Sequence, residues 1–145
     1  MNDFFVLPGF AFIPDDDMIY VFFKDTDIRR TTIDGLKNGY NGWVLVDSEG
    51  KVFRIKRAFF VKYLGFYGWN PMVNLNPFSK GDRKISVDFE YESEIKKISL
   101  KALKTEVVTR INKRKEIWES AWEMKELQQE INNCNSFEEM AELLK

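Results

Sequence analysis

Residues 42–57 read GWVLVDSEGKVFRIKR and predict a β-hairpin around which the rest of the chain can be arranged. The first part is apolar and β-branched, which is typical of a strand. Gly50 can adopt the positive φ that the turn needs. In the second part, Phe53 and Ile55 alternate with polar residues, so one face of this strand is predicted to be basic and exposed to water.

On the N-terminal side of the hairpin, Met18–Lys24 (MIYVFFK) is apolar on both faces and predicts a buried central strand. The three aspartates at residues 15–17 predict the turn that leads into it. They could also attract a hard cation, but three adjacent carboxylates cannot all converge on one ion, so the turn is favoured. Asp25–Asn41 is polar and predicts a loop with one helical turn after Thr32.

On the C-terminal side, Ala58–Tyr63 (AFFVKY) predicts a further strand, with Phe59 and Phe60 in the core. Lys84–Glu92 then alternates strictly between apolar and polar residues. That pattern predicts an antiparallel strand with one face in water.

Helices are predicted from Ser99 onward, because the apolar residues then recur at helical spacing. Ser99 is a suitable N-cap, and Leu103, Val107 and Ile111 fall on one stripe. The stripe stops over residues 112–116, which are all polar, and resumes from 117 to 131. The sequence leaves open whether residues 99–131 form one long helix or two.

A last short helix is predicted to begin at Ser136, where Glu139 completes a capping box. The resulting fold class is α+β: an antiparallel β meander of about four or five strands, followed by C-terminal helices packed on one face. A chain of 145 residues fits one domain, β-rich over 1–95 and helical over 96–145.

The residue types present argue against most kinds of catalytic site. The chain contains no histidine, which removes the usual general bases, catalytic triads and transition-metal ligands. Cys134 is the single cysteine and is predicted to be a small apolar residue near a helix end. Neither of the common glycine-rich phosphate-binding motifs is present. We therefore predict no catalytic residue, no metal site, no cofactor and no enzymatic activity.

Acidic side chains at Glu90, Glu92 and Glu94 could in principle supply a pair of carboxylates for glycoside hydrolysis. Alternating acids on a strand are more simply explained as a solvated face. No stretch reaches the roughly 18–20 apolar residues of a membrane helix. Residues 4–14 are apolar but contain Pro8 and Gly9 and lack a basic start, so they are predicted to belong to the fold and a cytoplasmic location is expected.

Charge is distributed unevenly along the chain. Residues 50–86 carry eight bases and one acid, a net charge of +7, within a protein whose net charge is −1. Residues 96–115 carry eight bases and one acid, whereas residues 116–145 carry eight acids and two bases. Such asymmetry bears on partners and on encounter rates rather than on fold.

The basic middle of the chain also contains many aromatic residues and predicts a protein-binding surface, because Trp, Tyr and Arg are favoured in interface cores. The predicted partner-binding residues are Lys56, Arg57, Lys62, Tyr63, Phe66, Tyr67 and Trp69. The alternative is that these aromatic rings fill the core beneath a long loop.

Two other partners are compatible with the sequence. Bases and aromatics interleaved over residues 54–84 could bind nucleic acid, with bases stacking on the rings and cations neutralising phosphates. Against this, the isoelectric point is about 5.6, and the acids at residues 15–17 could neutralise the basic stretch. Alternatively, residues 99–131 could form a homodimer in which basic and acidic helix halves face each other.

In size, acidity and α+β class the chain resembles the small bacterial immunity proteins, which neutralise toxins in the cytoplasm. The resemblance covers size and composition, and no residue is carried over from it. It implies a non-enzymatic protein that binds another protein, such as a toxin domain, and covers its active surface.

Overall fold

The structure is a computed structural model that describes residues 5–65, 84–92 and 96–145. Its strands are β1 (Gly9–Phe12), β2 (Ile19–Phe22), β3 (Arg30–Thr32), β4 (Val44–Val46), β5 (Lys51–Gly65), β6 (Lys84–Tyr91) and β7 (Lys96–Lys97). Its helices are α1 (Asp25–Arg29), α2 (Ile33–Asn38), α3 (Leu100–Lys113), α4 (Lys115–Trp118), α5 (Met124–Asn133) and α6 (Phe137–Leu144).

All strand pairs are antiparallel, and C-terminal helices follow the sheet, so the predicted α+β class is confirmed. The sheet has more strands than expected, in the order β2-β1-β4-β5-β6-β3, with β7 beside the start of β5. β3 lies at the far end from β2 because it pairs with β6. This long-range pairing leaves no periodic signal in the sequence.

The hairpin of β4 and β5 is confirmed, and a buried aspartate holds its turn. Asp47 Oδ1 accepts hydrogen bonds from the backbone N–H groups of Glu49 and Lys51, both at 2.9 Å. Its Oδ2 accepts one from Val6 N at 3.1 Å. Gly50 has φ +82°, and a Cβ there would collide with the carbonyl oxygen of Ile98. The turn therefore requires both residues.

The prediction of a buried central strand at Met18–Lys24 was wrong. β2 covers only Ile19–Phe22 and forms one end of the sheet path, with Tyr20 45% exposed. The buried neighbour is β1, whose four residues all have little exposure. Both segments are apolar on both faces, so periodicity could not tell which was the edge. The turn between them is as predicted, with Asp15 at φ 59°.

Residues 25–41 contain more structure than the predicted loop. The expected helical turn is α2, and the Thr32 hydroxyl caps it by accepting a hydrogen bond from Gly35 N at 3.0 Å. α1 and β3 were missed, because five polar-rich residues of helix and three of strand are too short to show a period. Ala58–Tyr63 is not a separate strand but the continuation of β5.

The sheet has apolar side chains on both faces, which form two clusters. We call the side under the C-terminal helices the helical face. Its buried sheet residues are Phe10, Phe12, Ile19 and Val46, and they pack against α3, α5 and α6. The opposite face carries Ala11, Phe22, Leu45, Phe53, Ile55, Ile85, Val87 and Phe89. The helical cluster includes no β6 residue, so the C-terminal helices cover only part of the sheet.

The helical region is divided into α3, α4 and α5, so the alternative of one long helix over residues 99–131 is wrong. Ser99 caps α3 as predicted, and α3 ends where Arg114 leaves helical geometry at φ −123° and ψ 42°. Lys104 Nζ of α3 donates to the Asn132 carbonyl at 2.9 Å. α3 thus packs beside α5 within the chain, and the homodimer through residues 99–131 stays a prediction. No described helix is long and apolar enough to cross a bilayer.

Ser136 caps α6 by accepting from Glu139 N at 3.1 Å, as predicted. The Glu139 carboxylate accepts from Asn135 N, one residue earlier than a standard capping box. The acids at residues 15–17 do not face the basic stretch of β5. Instead, Asp17 lies 3.6 Å from Lys113 Nζ, and the Asp16 carbonyl accepts from Arg110 Nη1 at 2.7 Å.

Candidate protein-binding surface

The strands that pair with β5 differ between its first part and its second part. Its first part, up to Ile55, has β4 on one edge, and the last bonds of that ladder are Gly42 N to Ile55 O and Ile55 N to Trp43 O, both 2.8 Å. Beyond Ile55, β6 pairs with one edge as far as Gly65. Within the part of the chain that the structure describes, no strand pairs with the other edge over Arg57–Lys62. We call this the open edge.

Large apolar side chains are exposed along the same part of β5. Six large hydrophobic residues are exposed among those described, and four of them lie between residues 59 and 63. Their exposed fractions are 44% for Phe59, 45% for Phe60, 49% for Val61 and 57% for Tyr63. Exposed apolar side chains that are concentrated in one segment mark interaction sites more often than scattered single residues do. The prediction that Phe59 and Phe60 belong to the core was wrong.

Three bases flank these side chains. Together we call them the β5 patch: Lys56, Arg57, Phe59, Phe60, Val61, Lys62 and Tyr63. Four of the seven predicted partner-binding residues, Lys56, Arg57, Lys62 and Tyr63, lie on this one strand and are exposed. The other three, Phe66, Tyr67 and Trp69, lie outside the described residues.

The register with β6 shows which face each side chain of the patch occupies. Directly opposed residues of an antiparallel pair point to the same face. Phe60 is opposite Val87 and Tyr63 is opposite Ile85, so both rings lie on the face opposite the helices. These two rings contact each other with centroids 4.9 Å apart.

Phe59 points the other way. It is opposite Asp88, whereas Arg57 is opposite Glu90 and Lys62 is opposite Ser86. These residues lie on the side of the helical face, in the part that the helices leave uncovered. The patch therefore wraps around the strand and presents apolar surface on both faces.

Irregular pairing explains this arrangement. The register between β5 and β6 shifts between Ile55 and Arg57, between Phe60 and Lys62, and between Tyr63 and Gly65. Each shift inserts a β5 residue without a partner and reverses the alternation of faces. Sequence reasoning missed Phe59, Phe60 and Val61 because three adjacent apolar residues resemble a buried strand.

The bases of the patch are partly neutralised by β6. The Arg57 guanidinium donates from Nε to Glu90 Oε2, and Lys56 Nζ lies 3.7 Å from Glu90 Oε1. The hydrogen bond and charge of Arg57 lower the pKa of Glu90. A lowered pKa suits an ion pair and does not suit a general acid, which must hold its proton near neutral pH. Glu90 and Glu92 thus lie on a solvated face, as the alternation predicted, and Glu94 lies outside the described residues.

Other chemically notable groups have structural roles. Cys134 follows α5, is buried, and its thiol lies 3.3 Å from the Glu130 carbonyl oxygen. Burial, and then the charge of Glu139, raises the pKa of this thiol, which opposes nucleophilic reactivity. The prediction of a small apolar residue near a helix end is confirmed.

A second polar cluster joins α1 to β6. Arg29 Nε lies 3.0 Å from Asp25 Oδ1, and its Nη2 lies 3.5 Å from Asp88 Oδ1. Burial, followed by the charge of Asp88, raises the pKa of Asp25. Burial also raises the pKa of the neighbouring Tyr91 to about 12. The cation lies between two carboxylates, one on the helix and one on the strand, so these ion pairs anchor α1 to β6.

No protein-family model, curated protein or solved structure matches this chain. The function is therefore inferred from the geometry and the chemistry of the β5 patch.

Proposed function

We propose that the protein binds another protein through the β5 patch and acts by covering a functional surface of that partner. The observation that carries this proposal is the run of four large apolar side chains, each 44–57% exposed, flanked by three bases on one strand. An arrangement of aromatic anchors with Arg and Lys at the margin is typical of interface hot spots.

The energetics favour association through these side chains. Each is about half exposed, so covering it completely contributes about 1 kcal/mol of transfer free energy. The aromatic rings lose little conformational entropy on binding, because they have only two side-chain torsions. Their backbone is already held on one edge by β6. Preorganisation of this kind lowers the entropic cost of binding.

The charges favour an acidic partner. Lys62 lies opposite an uncharged serine, and Lys56 and Arg57 share a single carboxylate, so the patch keeps an excess of positive charge. Complementary charge steers encounter and discriminates against basic surfaces. A toxin domain with an acidic active surface would be neutralised by occlusion, and an immunity-type role is the most specific form of this proposal.

Nucleic acid remains the second candidate and is less well supported. Two of the bases in the stretch 54–84, Lys56 and Arg57, are paired with the Glu90 carboxylate. Phosphate binding would have to compete with this carboxylate. A steep loss of binding with rising salt would favour this candidate.

The test is affinity capture from a native lysate of the source cells, with the tagged full chain as bait. The informative variant carries Phe59→Ser and Phe60→Ser together. Tyr20→Ser is the matched control, because Tyr20 is 45% exposed and lies on β2 at the other end of the sheet. We expect wild type and control to retain one stoichiometric protein, and the double variant to lose it.

Thermal unfolding of all three proteins controls for loss of fold. Retention of the same protein by the folded double variant would contradict the proposal. Recovery of nucleic acid in place of protein would contradict it as well.

A further inference from the structure

The open edge of β5 and the two-faced distribution of its apolar side chains constrain how a partner can dock. We propose that the partner contributes an extended segment with acidic ends and an apolar centre, which adds a strand to the open edge beside Arg57–Lys62. This inference rests on the proposed function and specifies its binding mode.

The edge itself supplies the first argument. β4 stops pairing at Ile55, yet β5 continues to Gly65 with β6 along one edge only. Among the described residues no strand takes up the backbone groups on the other edge of Arg57–Lys62. An extended peptide can satisfy such groups by β-augmentation, in which main-chain hydrogen bonds supply affinity and alternate side chains supply specificity.

The distribution of side chains supplies the second argument. Phe59 is exposed on one face of the sheet, and Phe60 and Tyr63 are exposed on the other. A rounded surface that docks on one face would leave the rings of the other face in water. A strand laid along the edge sends its own side chains alternately to both faces, so it can cover both sets at once.

Charge decides the character of the segment. In an antiparallel pairing, the positions opposite Arg57 and Lys62 enclose the positions opposite Phe59 and Phe60. Directly opposed charges of opposite sign stabilise a pair of strands, and like charges destabilise it. The segment therefore needs carboxylates near its ends and apolar residues between them.

The same features argue against a second copy of the chain as the occupant. Charged residues and bulges on an edge are devices by which proteins prevent indiscriminate pairing. A second copy would bring a further Lys56, Arg57 and Lys62 to an edge that is already basic. The pairing of β5 with β6 shifts before Arg57, between Phe60 and Lys62, and after Tyr63, so a regular added strand can match only a short segment across Arg57–Lys62.

The test uses synthetic peptides and the full chain labelled with ¹⁵N. The probe is the blocked peptide Glu-Val-Val-Thr-Glu, whose residues pair in antiparallel order with Lys62, Phe60, Phe59, Ala58 and Arg57, because Val61 is the residue inserted at the register shift. Its two carboxylates then point to the face that carries Arg57 and Lys62. The charge control is Lys-Val-Val-Thr-Lys. Two further peptides carry an N-methyl group on the backbone nitrogen of the first or the second valine.

We expect the acidic peptide to shift the amide resonances of residues 57–62 and the basic peptide to bind at least tenfold more weakly. Successive N–H groups of a strand point to opposite edges, so only one of the two methylated valines faces β5. One methylated peptide should therefore lose at least tenfold in affinity while the other binds like the parent. Contact through side chains alone cannot produce this difference.

Each contrary result has a distinct meaning. Failure of the acidic peptide to shift these amides, or equal binding of both methylated peptides, would overturn strand addition. Equal binding of the basic peptide would overturn the acidic character of the segment. Dimeric sedimentation with protected amides at residues 57–62 before any peptide is added would make a second copy the occupant. The capture experiment tests the proposed function separately, because it depends on side chains and not on strand pairing.

Discussion

The two parts of β5 contain the same kinds of residue and have opposite surroundings. In Lys51–Ile55, Phe53 is 4% exposed and Ile55 is completely buried. In Arg57–Gly65, Phe59 and Phe60 are 44% and 45% exposed. The difference lies in the neighbours, because β4 flanks the first part and stops at the start of the second. A strand with apolar side chains that continues past the end of one neighbouring strand is well placed to bind a partner.

The comparison separates residues that stabilise the fold from residues that are available for binding. Phe53 packs against Phe5 and Tyr91, with ring centroids 5.3 Å away in both cases. Phe60 contacts Tyr63, which is itself exposed. Four substitutions measure how much individual residues in and around the two parts of β5 contribute to stability.

The largest expected effect is that of Phe53→Ala. Removing a buried ring leaves a cavity and should lower the free energy of unfolding by about 3–5 kcal/mol. The measurement is equilibrium unfolding in urea. A loss no greater than that of Phe60→Ala would mean that the two parts of β5 do not differ in the way described.

Asp47→Ala should have the next largest effect, because the turn that begins β5 depends on this buried carboxylate. The backbone N–H groups of Val6, Glu49 and Lys51 would lose their acceptor, at a cost of about 2–3 kcal/mol. Asp47→Asn is the control, since its amide oxygen can keep part of the network. Equal stability of the Ala variant and wild type would contradict the role given to Asp47.

The third prediction concerns Tyr91, which lies opposite Ile55 at the boundary between the two parts of β5. Ionising its ring at alkaline pH should lower the stability of the fold. The folded pKa of Tyr91 is raised to about 12 from an ordinary value of 10.0. The corresponding stabilisation is complete below pH 10 and is lost as the pH rises towards 12, because ionising the buried ring then opposes folding.

In Tyr91→Phe, we expect the fall in unfolding free energy at alkaline pH to be about 1–2 kcal/mol smaller than in wild type. This is the free energy that corresponds to the raised pKa of Tyr91 at a partly exposed position. Urea unfolding at pH 9 and at pH 11.5 measures it. An identical pH dependence in wild type and variant would show that Tyr91 is not the group responsible.

The smallest effect is expected for Phe60→Ala. Its ring is half exposed and lies at the open edge, so the loss of stability should be below about 1.5 kcal/mol. Urea unfolding beside Phe53→Ala gives a direct comparison of two phenylalanines on one strand. A loss of unfolding free energy above about 3 kcal/mol is typical of buried Phe→Ala changes and would show that Phe60 belongs to the core.

Those parts of the fold that local chemistry determines could be predicted from the sequence. The alternation over Lys84–Glu92 showed which side of β6 is buried, and Gly50 marked the hairpin turn. Ser99 and Ser136 marked the starts of α3 and α6. Each of these signals lies within a few residues of the structure that it specifies.

Those parts that depend on distant pairing could not be predicted. The sequence of β2 resembles that of a central strand, and it is an edge because, among the described strands, it pairs with β1 alone. The bulges of β5 depend on its register with β6, and they decide that Phe59 and Phe60 point to the faces of Asp88 and Val87 respectively. Four members of the patch were found because they are basic or tyrosine. Phe59 and Phe60 were assigned to the core because burial had to be inferred from apolar character alone.

Site-specific photocrosslinking in the source cells tests most directly whether the second part of β5 is a binding surface. A photoreactive phenylalanine analogue is placed at position 59, at position 60 or, as the control, at position 20, whose side chain is equally exposed. If the second part of β5 binds one partner protein, positions 59 and 60 should give one crosslinked protein species of the same mass, and position 20 should give none. A crosslink from position 20 alone, or none from any position, would contradict it.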